Sequence, residues 1–229
     1  MISAAHHTMV GSRNCSVEFL GVSNSNLFHA SSQNTLSNFT FSMWCKALYE
    51  TTSGLMIKYG AGCGWGMGFG SQRANTDYIG QDFVRLYEGY TWKNTSFSQD
   101  KTTWHHYAMA RNGSSFSYYL DGSLFISDSQ SSFLTGTGTF YIGGHGSPPG
   151  EMRCLPCRIT RVSFWNRSLS TSEISTDFAD GKNTPSITNG LEHFWPLSSD
   201  KNYLTDAVGE ASLTIGDGGI ELSPDIPNI

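Results

Sequence analysis

Apolar and polar residues alternate most clearly over residues 104–122, WHHYAMARNGSSFSYYLDG. Tyr107 and Met109 alternate with Ala108 and Ala110, and then Phe116, Tyr118 and Leu120 alternate with Ser117 and Tyr119. A period of two marks strands with one buried face. Asn112-Gly113 lies between the two runs and tolerates positive φ, so it predicts a two-residue hairpin turn. Asp121-Gly122 predicts a second turn into SLFIS, which completes a three-stranded meander. Similar runs predict strands within residues 15–28, where Val17, Phe19 and Leu20 carry the pattern, and within 39–49, 55–59, 78–90 and 92–97. Further strands are expected ending at Gly143-Gly144 and within 158–165, 191–197 and 211–215. One helix is expected at about 171–180. Ser170-Thr-Ser-Glu173 is a capping box, Leu169 and Ile174 take the staple positions, and Gly181 supplies the stop.

Many short strands with a single helix predict an all-β fold, a two-sheet antiparallel β-sandwich. Residues 1–13 read as a loose N-terminal arm. Residues 14–229 read as one domain, in which 190–229 supplies closing C-terminal strands. The chain has 229 residues, of which 38% are hydrophobic and only 14% charged. Globular proteins usually carry about 25% charged residues. Here Ser, Thr, Asn and 25 Gly take their place, as suits a chain of strands joined by turns. Aromatics reach 13%, which favours strands and flat recognition surfaces.

The formal net charge is -5 with no Lys/Arg cluster, so a surface that tracks nucleic-acid phosphates is not expected. No apolar run approaches the roughly 20 residues that span a bilayer, so membrane insertion is not expected. The segment MISAAHHTMVGSRN lacks the basic and apolar regions of a signal peptide. The five cysteines, Cys15, Cys45, Cys63, Cys154 and Cys157, are an odd set and argue against a complete disulfide framework. Cys45 reads as a buried thiol. Cys154 and Cys157 have CxxC spacing but no further ligand pair for zinc, so a local disulfide or two free thiols are expected. Asn14, Asn38, Asn94, Asn112 and Asn166 head N-x-S/T triplets, which chance supplies in so Ser/Thr-rich a chain.

The order of certain segments resembles the laminin-G-like, concanavalin A-type lectin/glucanase superfamily, which includes pentraxin-like domains. The segments are VEFLG (17–21), NFTFSMW (38–44), WHHYA (104–108), SYYLDGSLF (117–125), YIGG (141–144) and RITRVSFWNRSLSTSEI (158–174). GLEHFWPL (190–197), followed by Asp206-Ala-Val-Gly209 and SLTI, resembles a segment that usually opens such domains. Its position here suggests a permuted closing strand pair. The resemblance implies a jelly roll and leaves activity open, because the fold hosts lectins, adhesion modules, hydrolases and virion proteins.

Glycoside hydrolases need paired carboxylates, about 5 Å apart in retaining enzymes. The acids Glu18, Glu88, Asp100, Asp121, Asp128 and Glu151 are scattered, and no E-x-D-x-(x)-E strand pattern occurs. The neighbours His105 and His106 on one strand point to opposite faces, so they read as packed or hydrogen-bonded residues. No G-x-S-x-G elbow is present. Residues 60–70, GAGCGWGMGFG, lack the GK[ST] of a phosphate loop and read as strand backbone that allows a close approach or a strong bend. Calcium, which many relatives bind, needs about 6–8 oxygen ligands, and the candidates are Asp77, Asp82, Asp100 and Asp128. Asp121 reads as a turn residue. For sugar recognition the candidate platform is Trp65, Tyr87, Tyr90 and Trp92. Trp44, Trp104, Trp165 and Trp195 sit inside the family-like core segments and are assigned to packing.

The expected function is a non-enzymatic binding or structural module. One reading is a component of a virion surface, such as a phage capsid decoration or fibre protein, packed against other copies of itself or other structural proteins. The leaderless start and the odd cysteine set favour it. The alternative is a secreted or cell-surface carbohydrate-binding lectin or adhesion domain, with glycans as partners in either case. A glycoside hydrolase is the third and disfavoured class.

Overall fold

The sequence patterns resolve, in a computed structural model, into elements that follow in chain order. They are β1 (Ser16–Leu20), β2 (Leu27–His29), β3 (Asn38–Ala47), β4 (Gly54–Tyr59), β5 (Trp65–Phe69), β6 (Val84–Glu88), β7 (Thr91–Asn94) and β8 (His105–Asn112). Then come β9 (Ser115–Leu120), β10 (Ser123–Ser129), β11 (Phe140–Ile142), β12 (Pro156–Trp165), α1 (Thr171–Ala179), β13 (Leu191–Trp195), β14 (Thr214–Ile215) and β15 (Ile220–Ser223). The structure describes residues 15–21, 27–29, 36–49, 54–59, 65–69, 84–88, 91–94, 100, 102–129, 139–144, 156–181, 183–198, 203–216 and 218–228.

The meander forms as expected, with one shift. Asn112 pairs with Ser115, so the first turn consists of Gly113 and Ser114 rather than Asn112 and Gly113. Gly113 has φ 61, and Ser114 is not among the positive-φ residues. Glycine first and an ordinary residue second is the demand of a type II′ turn. At the second turn Asp121 has φ 47 and Gly122 φ 75, the two positive values of type I′.

Two antiparallel sheets result. One runs β10-β9-β8-β3-β12-β1-β15, with β13 also paired to β12; the other runs β14-β2-β11-β4-β5-β6-β7. β12 is the hub of the larger sheet. One edge pairs with β3, and the other is shared between β1, along Pro156–Ile159, and β13, from Val162 onward. The hand-over falls at Arg161, where φ is 53 and the register against β3 shifts between Thr160 and Ser163. An extra residue in one strand lets its two halves face different partners.

The core lies between the sheets. It takes Phe39, Phe41, Met43, Cys45 and Ala47 from β3, Tyr107 and Met109 from β8, Phe116 and Tyr118 from β9, and Ile57, Met67 and Ile142 from the opposite sheet. Burying each of Phe41 and Phe116 contributes about 1.5–3 kcal/mol. The expectation of one buried face fails for β3 and β8. Their other face is buried as well, because Ala108, Ala110, Tyr119 and Trp165 pack under Leu169 and Ile174 of the α1 segment. Small side chains at 108 and 110 leave room for the helix. The capping box is as expected: Glu173 N–H donates to the Ser170 hydroxyl and the Glu173 carboxylate accepts from Ser170 N–H.

The last forty residues contribute to both sheets. β13 joins β12, β14 joins β2 in the opposite sheet, and β15 adds to β1. β15, with only Ile220 and Leu222 apolar, was not expected from the sequence. Cys45 is a buried free thiol, and Cys15 and Cys157 are buried as well; Cys63 and Cys154 lie outside the described residues. Among the described residues no helix is long and apolar enough to cross a membrane.

Candidate functional site

The glycine-alternating stretch becomes β5, and its register identifies the two faces of the seven-stranded sheet. Leu27, Ile142, Ile57 and Met67 pair in sequence along one rung, and all four are fully buried in the core. Successive rungs of a strand belong to opposite faces. The next rung therefore lies on the outward face, and it can be read across every strand: Thr214, Phe28, Tyr141, Lys58, Gly66, Tyr87 and Trp92. On this rung Thr214 is exposed, Tyr141 half-buried and Gly66 buried. Six gaps between strands make this row about 29 Å long. Two residues further along, the same face carries Leu55, Gly68, Arg85 and Asn94.

Of the four aromatics expected to form a platform, Tyr87 and Trp92 are register partners on this outward row. Trp65 stands one rung away, in a row with Phe140, Tyr59, Glu88 and Thr91, and Phe140 of that row packs in the core. Tyr90 lies outside the described residues. Phe28, Tyr141 and Lys58 share the row and were not singled out from the sequence. Only the pairing of strands distant in the chain brings them together. The register thus places Phe28, Tyr141, Tyr87 and Trp92 on the same row as Gly66.

The two described acidic candidates do not converge. Asp77 and Asp82 lie outside the described residues. Asp100 accepts from the backbone N–H and hydroxyl of Thr102, and its carbonyl lies 3.0 Å from Nε2 of His105. Asp128 accepts from Ser129 N–H and pairs with Phe116 at the far end of the meander. Roughly 20 Å of strand separates those ends, so Asp100 and Asp128 cannot ligate one cation. Among the described residues no three His, Cys, Asp or Glu side chains group as metal ligands.

The paired histidines do diverge, as expected. His105 Nδ1 lies 2.6 Å from the Asp121 carboxylate, which also accepts from His106 N–H. Asp121 is thus both a turn residue and the partner of His105. Burial lowers the His105 pKa, but the bond to Asp121 and its charge outweigh it, and the net shift is upward. His106 points the other way, into a sealed polar cluster beneath α1. There Asp177 accepts from Ser42 Oγ at 2.6 Å and from Arg161 Nη2 at 2.7 Å, and lies 3.1 Å from His106 Nε2. Ser, His and Asp occur together here, but Ser42 donates to Asp177 and not to the histidine. All three side chains are shut off from solvent. No substrate reaches this serine, so the cluster fastens the helix to the sheet.

Two other carboxylates come near each other across Arg158, which binds Glu18 at 2.7 Å and Asp225 at 2.5 Å. Asp225 also accepts from Lys46 and from Trp104 Nε1. Burial raises its pKa, but these donors prevail and hold it below the ordinary value. A cation wedged between two acids, one of them kept ionised, is the opposite of a glycosidase acid–base pair. The tryptophans assigned to packing are placed accordingly. Trp44, Trp165 and Trp195 are buried and donate to the carbonyls of Gly181, Ile187 and Ala211, while Trp104 is half-buried.

A family model described as the concanavalin A-like lectin/glucanases superfamily matches residues 20–175. No curated protein matches the sequence. Among solved structures, the chain is similar to a native heptameric SAP-like pentraxin from Limulus polyphemus, with TM-score 0.64 and 14% identity over 94% of this chain and 96% of that one. A putative carbohydrate binding protein from Bacteroides ovatus gives TM-score 0.70 and 15% identity over 95% of this chain and 61% of that one. The binding domain of Paraclostridial Mosquitocidal Protein 1 gives 0.53 and 15% over 71% and 42%. At these identities the likeness is one of fold.

Proposed function

The chain belongs to the concanavalin A-like lectin/glucanases superfamily, and on that premise we propose that it is a non-enzymatic carbohydrate-binding module whose binding face is the outward side of the seven-stranded sheet. The observation that carries this reading is the row that sets Tyr87 opposite Trp92 and beside Gly66. Aromatic rings stack on the C–H faces of sugars, and a glycine between strands lets the ring settle near the backbone. The larger sheet offers no comparable row, because helix α1 covers the outer face of its central strands. The neighbour from Bacteroides ovatus, described as a putative carbohydrate binding protein, supports the same reading.

The experiment is a glycan array probed with the full chain and with Trp92→Ala. Truncating a central aromatic anchor costs more than about 1 kcal/mol, so affinity for a bound glycan falls about fivefold or more. A Trp92→Ala variant that binds as well as the parent refutes the face. The setting on a virion or other particle surface, among copies of the chain or other structural proteins, belongs to this proposal on the odd cysteine set alone. Stoichiometric recovery with purified particles tests it against a secreted or cell-surface setting.

A further inference from the structure

We propose that Lys46, Trp104 and Arg158 form a docking site for the carboxylate of an acidic peptide, and that Asp225 of the chain's own C-terminal arm occupies it until such a peptide arrives. Glu18, Arg158 and Lys46 are register partners across β1, β12 and β3. Their chain neighbours Phe19, Cys157 and Ala47 are fully buried in the core, so this rung faces outward. The adjoining outward rung holds Trp44, whose indole bonds to the Gly181 carbonyl just after α1. The site therefore lies past the end of the helix. There Lys46 Nζ donates to Asp225 Oδ2 at 2.8 Å, Arg158 Nη1 to the same oxygen at 2.5 Å, and Trp104 Nε1 to Oδ1 at 2.9 Å. Arg158 Nε donates to Glu18 at 2.7 Å. Three donors on two oxygens make a receptor for one carboxylate. Glu18, and its exposed register partner Glu221 at the rim, repel further negative charge. The site is thereby suited to a single carboxylate rather than to a phosphate or a polyanion.

The way Asp225 reaches the donors favours a peptide over a small acid. β15 pairs with β1 as far as Ser223 opposite Ser16. Two residues later the Asp225 carbonyl accepts from the Ser16 hydroxyl at 2.7 Å, and its side chain turns onto the donors. The recognised unit is thus an extended backbone along β1 with a carboxylate just beyond the last pair. Strand addition to a sheet edge supplies such backbone contacts, which a small acid lacks. The arm is also displaceable. It follows Gly219, φ 75, where a Cβ would meet nothing within 4 Å. The Arg158, Lys46 and Asp225 side chains are 24%, 26% and 30% exposed, so the latch consists of weak surface pairs. A tethered arm competes at an effective concentration of about mM, so cutting the latch must favour a free peptide.

The test is fluorescence anisotropy of a labelled synthetic peptide of residues 219–229. It is titrated with the parent chain, with Asp225→Ala and with Asp225→Ala/Lys46→Gln, each checked for a cooperative melting transition. Asp225→Ala should bind the peptide about fivefold or more tightly than the parent, because its own arm no longer holds the donors. The added Lys46→Gln change should forfeit that gain, as should a peptide that itself carries Asp225→Ala. Rising salt should weaken the tight complex, because the pairs are solvent-exposed. Equal binding by the parent and Asp225→Ala, or equal binding of the acidic and alanine peptides, overturns the docking site. Excess acetate and glucuronate serve as competitors. Displacement by glucuronate but not by acetate overturns the peptide choice in favour of an acidic sugar.

Discussion

Replacing Asp177 by Asn tests the cluster that fastens α1 to the larger sheet. The change keeps the shape of the side chain and removes its charge. Asp177 and Arg161 are both sealed from water, at 0% and 1% side-chain exposure. The carboxylate accepts from Arg161, Ser42 and His106 on its two oxygens. With its charge removed, Arg161 would face a neutral amide, the Asn183 carbonyl and the more distant Asp180 carboxylate at 3.7 Å. Removing one partner of a buried pair costs about 3–5 kcal/mol. For a domain of 150–250 residues that lowers the melting temperature by about 6–20 °C. Asp225→Asn is the comparison: its pairs with Lys46 and Arg158 are about a quarter exposed, and such pairs contribute about 0–1 kcal/mol. Urea unfolding followed by tryptophan fluorescence measures both. Removing both charges, as Arg161→Met with Asp177→Leu, should recover most of the loss, since apolar replacement of a buried pair is often neutral. The sign with pH is also fixed. Burial pushes the Asp177 carboxyl up, but the His106 bond and the Arg161 charge prevail and hold it below the ordinary range. Its contribution is therefore complete above the unfolded value of about 3.9 and disappears only as pH falls through the lower folded value. An Asp177→Asn protein within about 1 kcal/mol of the parent at neutral pH refutes the reasoning.

Two glycines separate steric clash from backbone strain. A Cβ at Gly143 would stand 2.2 Å from Phe19 Cδ1 at φ 79, whereas one at Gly113, φ 61, meets nothing within 4 Å. Gly113→Ala should cost about 1–2 kcal/mol for its conformation alone, and Gly143→Ala about 1–3 kcal/mol more for overpacking; equal losses in thermal melts would contradict the packing at Phe19. The raised pKa of His105 stabilises the fold below its unfolded value of about 6.5, and that benefit is lost as pH rises through the folded value. NMR titration should place the His105 midpoint above 6.5, and Asp121→Asn, which tolerates the turn conformation, should bring it down; an unmoved midpoint would disprove the pairing.

What was legible in the sequence was local. The capping box, the two glycine turns and the alternation of β3 and β9 involve residues within a few positions of one another. What was not legible depends on partners far along the chain. Burial of both faces of β8 arises because α1, some seventy residues later, lies over Ala108 and Ala110. β15 has too few apolar residues to announce itself, and forms because β1 offers an unpaired edge. The platform expected from Trp65, Tyr87, Tyr90 and Trp92 was assembled by proximity in sequence. The register instead pairs Tyr87 with Trp92, separates Trp65 by one rung, and adds Phe28, Tyr141 and Lys58 from strands that periodicity cannot align.

The two sheets differ in what lies on their outer faces. On the helix side of the larger sheet, one rung runs through Ala108, Ser42 and Ser163, between Tyr119 and Phe194. Small residues there admit a helix, and the polar ones among them meet the buried Asp177. Beneath the helix that face is consequently closed to any ligand. In the other sheet glycines occur instead at 66 and 68, on the outward rungs, and both are buried although no described helix covers them. The closing segment links the two sheets: β15 borders β1 in the helix-covered sheet, while Thr214 of β14 ends the outward row of the other. The two sheets are in this way completed by one C-terminal segment and are parts of one folded unit.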